Sequence, residues 1–205
     1  MKRKRKPFPL VALLLLTAAV AGGALWYGGG LSGEPTRTTS QPPLRLGGPF
    51  VLTDQNGIRK TEADFHGKYM LVFFGYTYCP DVCPTTLAVI RAALDQMGER
   101  AERIVPVFIT VDPKRDTPET LKAYLSSFGP RFVGLTGTTE EIASVAKEYR
   151  VFYRSHDGEG ADYTVDHSGV VYLMKPDGTY LANYSLANSP EAMAADLIKR
   201  TASPQ

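Results

Sequence analysis

The sequence predicts an α/β fold whose mixed central sheet is flanked by helices. Two continuous apolar segments, Met70–Tyr76 and Ile104–Val111, are typical of strands buried on both faces. A segment with helical spacing of apolar residues follows the first, and a helix-start signal follows the second. Alternating strands and helices imply a sheet with a parallel portion covered by helices. The length of 205 residues suits one compact domain with additional segments.

The first 27 residues predict a membrane anchor. Residues 1–7 form a basic start that should stay in the cytoplasm, and residues 8–27 carry no charge. Twenty helical residues reach about 30 Å, the thickness of a bilayer core. The alternative is a signal peptide cleaved after Ala19-Val20-Ala21. Both interpretations place the rest of the chain outside the cytoplasm. We expect a single-pass protein of a bacterial inner membrane whose domain faces the periplasm.

The charge distribution argues against a nucleic-acid partner. Five of the 23 basic residues lie at positions 2–6, so the rest of the chain carries 18 basic and 21 acidic residues. No cluster of basic residues with interleaved aromatics follows that start, although such clusters mark nucleic-acid surfaces.

A linker and one globular domain are predicted after the anchor. Residues 28–47 are rich in Gly, Ser, Thr and Pro and have no apolar period, which is typical of a flexible tether. Residues 48–201 form the predicted domain.

The first half of the domain is predicted to contain a hairpin, two long strands and a helix between them. A short strand covers 50–53, and Asn56-Gly57 in the following turn favours a hairpin. The Met70–Tyr76 strand leads to a helix over 85–100. Its apolar stripe consists of Leu87, Ile90, Leu94 and Met97.

The second half is predicted to alternate helices with shorter strands. Thr117-Pro118-Glu119 and Ser189-Pro190-Glu191 are helix starts, because a hydroxyl cap precedes Pro in the first turn. Thr138 or Thr139 caps another helix, with Glu140 and Glu141 in its first turn. The predicted ranges are helices over 117–128, 138–149 and 190–200 and strands over 132–135, 170–174 and 180–184.

The two cysteines, Cys79 and Cys83, stand where the first long strand passes into a helix, which matches a thioredoxin-like arrangement. At i and i+4 on a helical turn their Cβ atoms lie roughly 5–6 Å apart, close enough to share a metal ion or to form a disulfide. A disulfide would close too small a loop to stabilise the fold much. The positive helix N-terminus should favour thiolates, so the pKa values of both thiols are expected to fall. The pair is therefore predicted to do chemistry, as metal ligands or as a redox pair.

Copper is the predicted metal, and His167 is the best third ligand. Two sulfur ligands select Cu(I) or Zn(II), and structural zinc takes four protein ligands. Two Cys and two of the three His could supply four, but a site with two sulfurs and one nitrogen suits copper better. His167 lies three residues before Val170, the start of the 170–174 strand, in a loop that should pass beside the cysteine turn. Asp166 or Ser168 could orient its ring; alternatively, His167 is a loop histidine bonded to backbone.

The other polar and aromatic candidates are weaker. His66 and His156 lie in polar loops and are interpreted as solvated, with weak metal contact as the alternative for His156. Asp112 follows the second long strand at the rim where open α/β sheets bind ligands, so it accepts hydrogen bonds near the site, docks a partner, or serves the turn. Tyr76 and Tyr78 shield a metal or pack in the core or at the rim.

Three motifs together resemble the Sco/SenC family of thioredoxin-fold copper proteins. These are Phe74–Pro84, which contains Cys-Pro-Asp-Val-Cys-Pro, the Val111–Thr117 segment, and the distant Asp166-His167-Ser168. The resemblance covers about residues 48–200, and the N-terminal anchor agrees with it.

The resemblance implies a metallochaperone that carries one copper, as Cu(I) or Cu(II), rather than a turnover enzyme. By motif, Cys79, Cys83 and His167 match the copper ligands of the family, and Asp112 matches an acidic position near the site. The implied partners are an upstream copper donor and, as acceptor, cytochrome c oxidase subunit II or another copper-accepting protein. The implied task is assembly of the binuclear copper site of that oxidase, or reduction of the subunit's cysteines.

Other functions stay open at this point. A thiol–disulfide oxidoreductase would use Cys79 and Cys83 as catalytic residues without needing His167. A redox sensor would oxidise one cysteine to sulfenic acid. A purely structural disulfide is the plainest alternative.

Overall fold

A computed structural model describes residues 45–156, 163–185 and 187–202. The predicted basic start, the anchor over 8–27 and most of the linker lie outside these ranges. Within them, no helix is both long enough and apolar enough to cross a bilayer. At the start of the described chain, Leu46 packs against the core and Gly47 N–H donates to Glu148 O at 3.0 Å.

Nine strands and four α-helices make up the described domain. The strands are β1 Val51–Asp54, β2 Arg59–Thr61, β3 Tyr69–Gly75, β4 Ile104–Thr110, β5 Val133–Thr136, β6 Tyr153–Ser155, β7 Val165–His167, β8 Val171–Met174 and β9 Tyr180–Tyr184. The helices are α1 Val82–Met97, α2 Pro118–Ser126, α3 Thr139–Glu148 and α4 Pro190–Thr201. Short 3₁₀ helices cover Glu62–Phe65 and Gly98–Arg103.

Seven strands form one mixed sheet in the order β2-β1-β5-β4-β3-β8-β9. The three central strands β5, β4 and β3 run parallel, whereas β1 and β8 join them antiparallel. Helix α1 packs against α4, and α2 packs against β5. The predicted mixed sheet flanked by helices is therefore confirmed.

Burial and capping follow the sequence pattern. All seven residues of β3 are buried, as the continuous apolar segment predicts. The side chains of Thr117, Thr138 and Ser189 accept hydrogen bonds from the first turns of α2, α3 and α4, so these predicted helix starts are confirmed. Helix α1 begins at Val82, earlier than predicted, because Pro84 fits in its first turn, where no intrahelical N–H bond is required.

The β6–β7 hairpin was not predicted. These three-residue strands pair antiparallel as a separate two-stranded sheet, with Tyr153 opposite His167. Segments this short carry too little apolar alternation to stand out in a sequence. The hairpin matters because its last residue is His167, which the sequence had placed in a loop.

Candidate metal centre

The carboxyl end of β3 brings three metal-ligating side chains together. Cys79 lies in the turn after β3, Cys83 is the second residue of α1, and His167 ends β7. Their ligand atoms all lie within 4.8 Å of one another, and Cys83 Sγ is 3.3 Å from His167 Nε2. In the described part of the chain this is the only group of three or more His, Cys, Asp or Glu side chains spaced to hold a metal ion.

Gly75 makes room for the buried sulfur. A Cβ at this position would lie 2.6 Å from Cys83 Sγ and 2.9 Å from Phe108 Cε2. Side-chain atoms do not approach each other so closely, so the last residue of β3 must be glycine for Cys83 to occupy its place. The backbone N–H of Tyr76, the next residue, points at the same sulfur. Sequence reasoning missed this role for Gly75, although the residue lies in the cysteine motif.

The His167 ring is held by aromatic contacts and backbone carbonyls. Its Nδ1 lies 3.3 Å from Ser168 O, which leaves Nε2 facing Cys83. The rings of Phe73 and Tyr76 approach it edge-on, with centroids 5.9 and 5.8 Å away. Tyr76 therefore packs beside the site from a buried position.

Asp166 was one of two residues predicted to orient the His167 ring, and it does not do so. Its carboxylate bonds instead to Nε2 of His156 at 2.5 Å, and both side chains are at least half exposed. Adjacent residues of a strand point to opposite faces, so Asp166 and His167 cannot share a direction. The ring is oriented by the Ser168 carbonyl, so the prediction for Ser168 holds through its backbone.

His66 and His156 are exposed, as predicted, and neither belongs to the three-residue group. The tetrahedral site of two Cys and two His, which the sequence left open, is thus not formed by the described histidines.

Burial determines the protonation of the site. Burial raises the pKa of the Cys83 thiol far above its ordinary value. The backbone N–H of Tyr76 lowers this pKa, but by less than burial raises it. The expected fall in cysteine pKa is therefore wrong for Cys83, because desolvation of the thiolate outweighs the helix N-terminus. Burial likewise lowers the pKa of His167, although the Ser168 and Phe74 carbonyls oppose it. The buried donors are thus a neutral thiol and a neutral imidazole.

The Asp112 carboxyl is buried and accepts hydrogen bonds from two neighbouring side chains, in line with one of the predictions for it. It is 4% exposed, and Tyr163 Oη donates to its Oδ1 at 2.5 Å while Arg115 Nε donates to Oδ2. The Arg115 guanidinium lies over the rings of Tyr163 and Tyr78, at 3.6 and 4.8 Å from their centroids. Tyr78 itself, the residue before Cys79, is 60% exposed. Arg115 and Tyr163 were missed from the sequence, because only the fold brings the 163 region to the end of β4.

The fold and the site define a class: a thioredoxin-like α/β domain that groups two cysteine sulfurs and one histidine nitrogen, a candidate metal centre, at the carboxyl end of its parallel strands. The SCO1/SenC family model matches residues 38–202, and the chain belongs to this family.

Known relatives agree with this assignment. The structure of Bradyrhizobium japonicum ScoI with copper bound is 49% identical, has a TM-score of 0.71, and covers 76% of this chain and 99% of that one. The human mitochondrial SCO1 homolog is 38% identical over an alignment 207 positions long, which covers 95% of this chain and 68% of that protein. The mitochondrial SCO1 homolog 1 of Arabidopsis thaliana is 43% identical over 155 residues, or 75% of this chain. That match spans only 46% of the Arabidopsis protein, so the chain spans about half of its length.

Proposed function

We propose that the chain binds one copper ion through Cys79, Cys83 and His167 and passes it to a copper-accepting protein. The observation that carries this proposal is the convergence of two sulfurs and one imidazole nitrogen within 4.8 Å. The relative from Bradyrhizobium japonicum, solved with copper bound, supports the same metal.

The donor set favours copper over a structural zinc ion. Thiolate and imidazole are ligands for both ions, but structural zinc is held by four protein ligands. The described residues bring three donors together, which suits Cu(I). Copper is the cargo of the protein rather than a permanent cofactor, so a site with one accessible side allows the ion to leave.

The protonation of the donors suits reversible loading. Cys83 holds its proton while metal-free, because burial penalises its thiolate, and it loses that proton as copper binds. His167 presents a neutral nitrogen because burial lowers its pKa. Cys79 is only partly buried and gives an incoming ligand of the acceptor a sulfur to approach. Copper can then pass by exchange of one ligand at a time from the Cys79 side.

The proposed setting follows from the N-terminal sequence and the family. Residues 8–27 anchor the chain in the inner membrane, residues 28–47 tether the domain, and residues 48–201 carry copper in the periplasm. An upstream donor loads the site. The acceptor is cytochrome c oxidase subunit II, at its binuclear copper site, or another copper-accepting protein.

A thiol–disulfide oxidoreductase is the second candidate. Both cysteines are free thiols, their sulfurs lie within 4.8 Å, and Cys79 is accessible enough to attack. In that reaction Cys79 attacks a partner disulfide, and Cys83 displaces the partner from the mixed disulfide. Two protein thiols are oxidised to one disulfide while the partner disulfide is reduced to two thiols.

A transfer assay distinguishes the two candidates. The full chain, reduced and loaded with Cu(I), is incubated with the metal-free copper domain of subunit II, and the spectrum of the assembled acceptor is recorded. Copper carriage predicts transfer by the parent, none by His167→Ala, and unchanged transfer by His66→Ala, the same substitution at an exposed histidine. If neither the parent nor His167→Ala transfers copper, while both activate an oxidised acceptor supplied with free copper equally well, the function is thiol reduction and the copper proposal fails.

A further inference from the structure

One buried carboxylate beside the metal centre is not among its donors. Asp116 lies in the loop between β4 and α2 and is fully buried. It belongs to none of the groups spaced to hold a metal ion in the described residues. A buried carboxylate is costly unless it is hydrogen-bonded, so its contacts indicate what it does.

Asp116 accepts three hydrogen bonds from two segments of the chain. Its Oδ2 accepts from the backbone N–H of Thr77 at 3.0 Å and from Thr110 Oγ1 at 2.6 Å. Its Oδ1 accepts from Thr77 Oγ1 at 2.6 Å. Burial raises the pKa of the carboxyl, while the hydrogen bonds from Thr110 and Thr77 lower it. The three hydrogen bonds satisfy both carboxyl oxygens at 2.6–3.0 Å, so this is a firm attachment.

The attachment joins the cysteine turn to the sheet. Thr110 is the last residue of β4, whereas Thr77 lies two residues before Cys79. The turn itself has weaker local support: Cys79 N–H donates to Tyr76 O at 3.3 Å, and Asp81 at the start of α1 gives that helix no side-chain cap. Cys83 is fixed by α1 and His167 by β7, so Cys79 is the donor whose position depends on the turn.

We propose that Asp116 is a positioning residue that holds Cys79 at coordinating distance from Cys83 and His167 by clamping Thr77 to β4. This inference rests on the proposed function for its effect on copper, but the clamp itself exists in the metal-free chain. Metal sites require ligands held to within about 0.5 Å, and residues that orient them have correspondingly large effects.

The test compares full-length variants by amide hydrogen exchange at Thr77 without metal and by Cu(I) affinity against a competing chelator. Asp116→Ala should accelerate exchange at Thr77 and weaken Cu(I) binding by about tenfold or more, as is typical when a ligand-orienting partner is lost. Asp116→Asn keeps one acceptor oxygen for the Thr77 N–H and should restore part of both properties. If Asp116 only stabilised the fold, Asp116→Ala and Asp116→Asn chains of equal thermal stability would not differ in Thr77 exchange and Cu(I) affinity.

Asp177→Ala is the matched control. Asp177 Oδ1 accepts from the N–H and Oγ1 of Thr179 in the β8–β9 turn, the same pair of donors at a site remote from the metal centre. This variant should leave Cu(I) affinity and Thr77 exchange at parental values.

The outcomes separate the clamp from the copper proposal. A folded Asp116→Ala chain with parental Cu(I) affinity would overturn the inference. If that variant does not fold, Thr77→Val decides, since it removes one donor and keeps the shape: weaker affinity supports the clamp, and parental affinity overturns it. If the parent does not bind Cu(I), the proposed function fails. The clamp is then judged by amide exchange alone: faster exchange at Thr77 in the Asp116 variants supports it, and unchanged exchange overturns it.

Discussion

Replacing Gly75 by Ala tests whether close packing sets the position of the Cys83 sulfur. The new methyl carbon would lie 2.6 Å from Cys83 Sγ and 2.9 Å from Phe108 Cε2. Comfortable non-bonded contacts begin near 3.5 Å, so the sulfur, the ring or the strand must shift by about 1 Å. All of these groups are buried, so no neighbour can move into solvent.

Two effects follow from that displacement. Overpacking of this kind costs about 1–3 kcal/mol of folding free energy. Copper binding should weaken by more than the stability loss explains, because a shift of about 1 Å exceeds the tolerance of roughly 0.5 Å for a metal ligand. We expect Cu(I) affinity to fall by about tenfold or more, comparable to the loss of a residue that orients a ligand.

Gly134→Ala is the control for overpacking alone. Its Cβ would lie 2.6 Å from Leu125 Cδ1, an equally short approach at β5, where α2 packs and the metal centre is not involved. Urea unfolding of the metal-free chains and Cu(I) titration against a chelator are measured for both variants. Both should lose stability, and only Gly75→Ala should lose copper affinity. Parental affinity in Gly75→Ala, or an equal loss in Gly134→Ala, would refute the reasoning.

Three further predictions follow from buried and exposed groups near the site. The Tyr124 hydroxyl is buried without a hydrogen-bond partner among the described residues, so Tyr124→Phe should leave the melting temperature unchanged or raise it; a clear drop would mean that the hydroxyl is satisfied in solution. The pKa of Cys83 is raised in the folded chain, whereas an unfolded thiol ionises near about 8.5. Above that pH the folded state therefore holds one proton that the unfolded state has lost. The free energy of unfolding of the metal-free chain should fall by up to about 1.4 kcal/mol per pH unit. Denaturant titrations at several pH values should show this slope in the parent and a flatter one in Cys83→Ala. Asp166→Asn breaks an exposed pair with His156 and should change Cu(I) affinity by less than about fivefold in the chelator titration, the upper end for such pairs; a larger loss would show that Asp166 acts on His167.

The architecture was predictable because its signals are local and periodic. The apolar segment that became β3, the hydroxyl caps of α2, α3 and α4, and the Asn56-Gly57 turn each act within a few neighbouring residues. The three candidate donors were also predictable, since two cysteines at i and i+4 mark a site and few histidines compete for the third place.

Features that depend on distant contacts were not predictable. The β6–β7 hairpin is too short to show a period, so His167 was assigned to a loop. The raised pKa of Cys83 follows from how deeply α1 is buried, which the local rule for helix N-termini does not contain. Asp116 has no role of its own in the Val111–Thr117 segment as read from the sequence, because its partner Thr77 is 39 residues away.

Cu(I) titration of the reduced full chain against a competing chelator tests most directly whether one copper site contains Cys79, Cys83 and His167. The parent, His167→Ala and His66→Ala are compared. We predict one tightly held copper per chain in the parent and in His66→Ala, and binding weakened by about tenfold or more in His167→Ala. Parental affinity in His167→Ala would show that His167 is not a ligand and would contradict the proposed site.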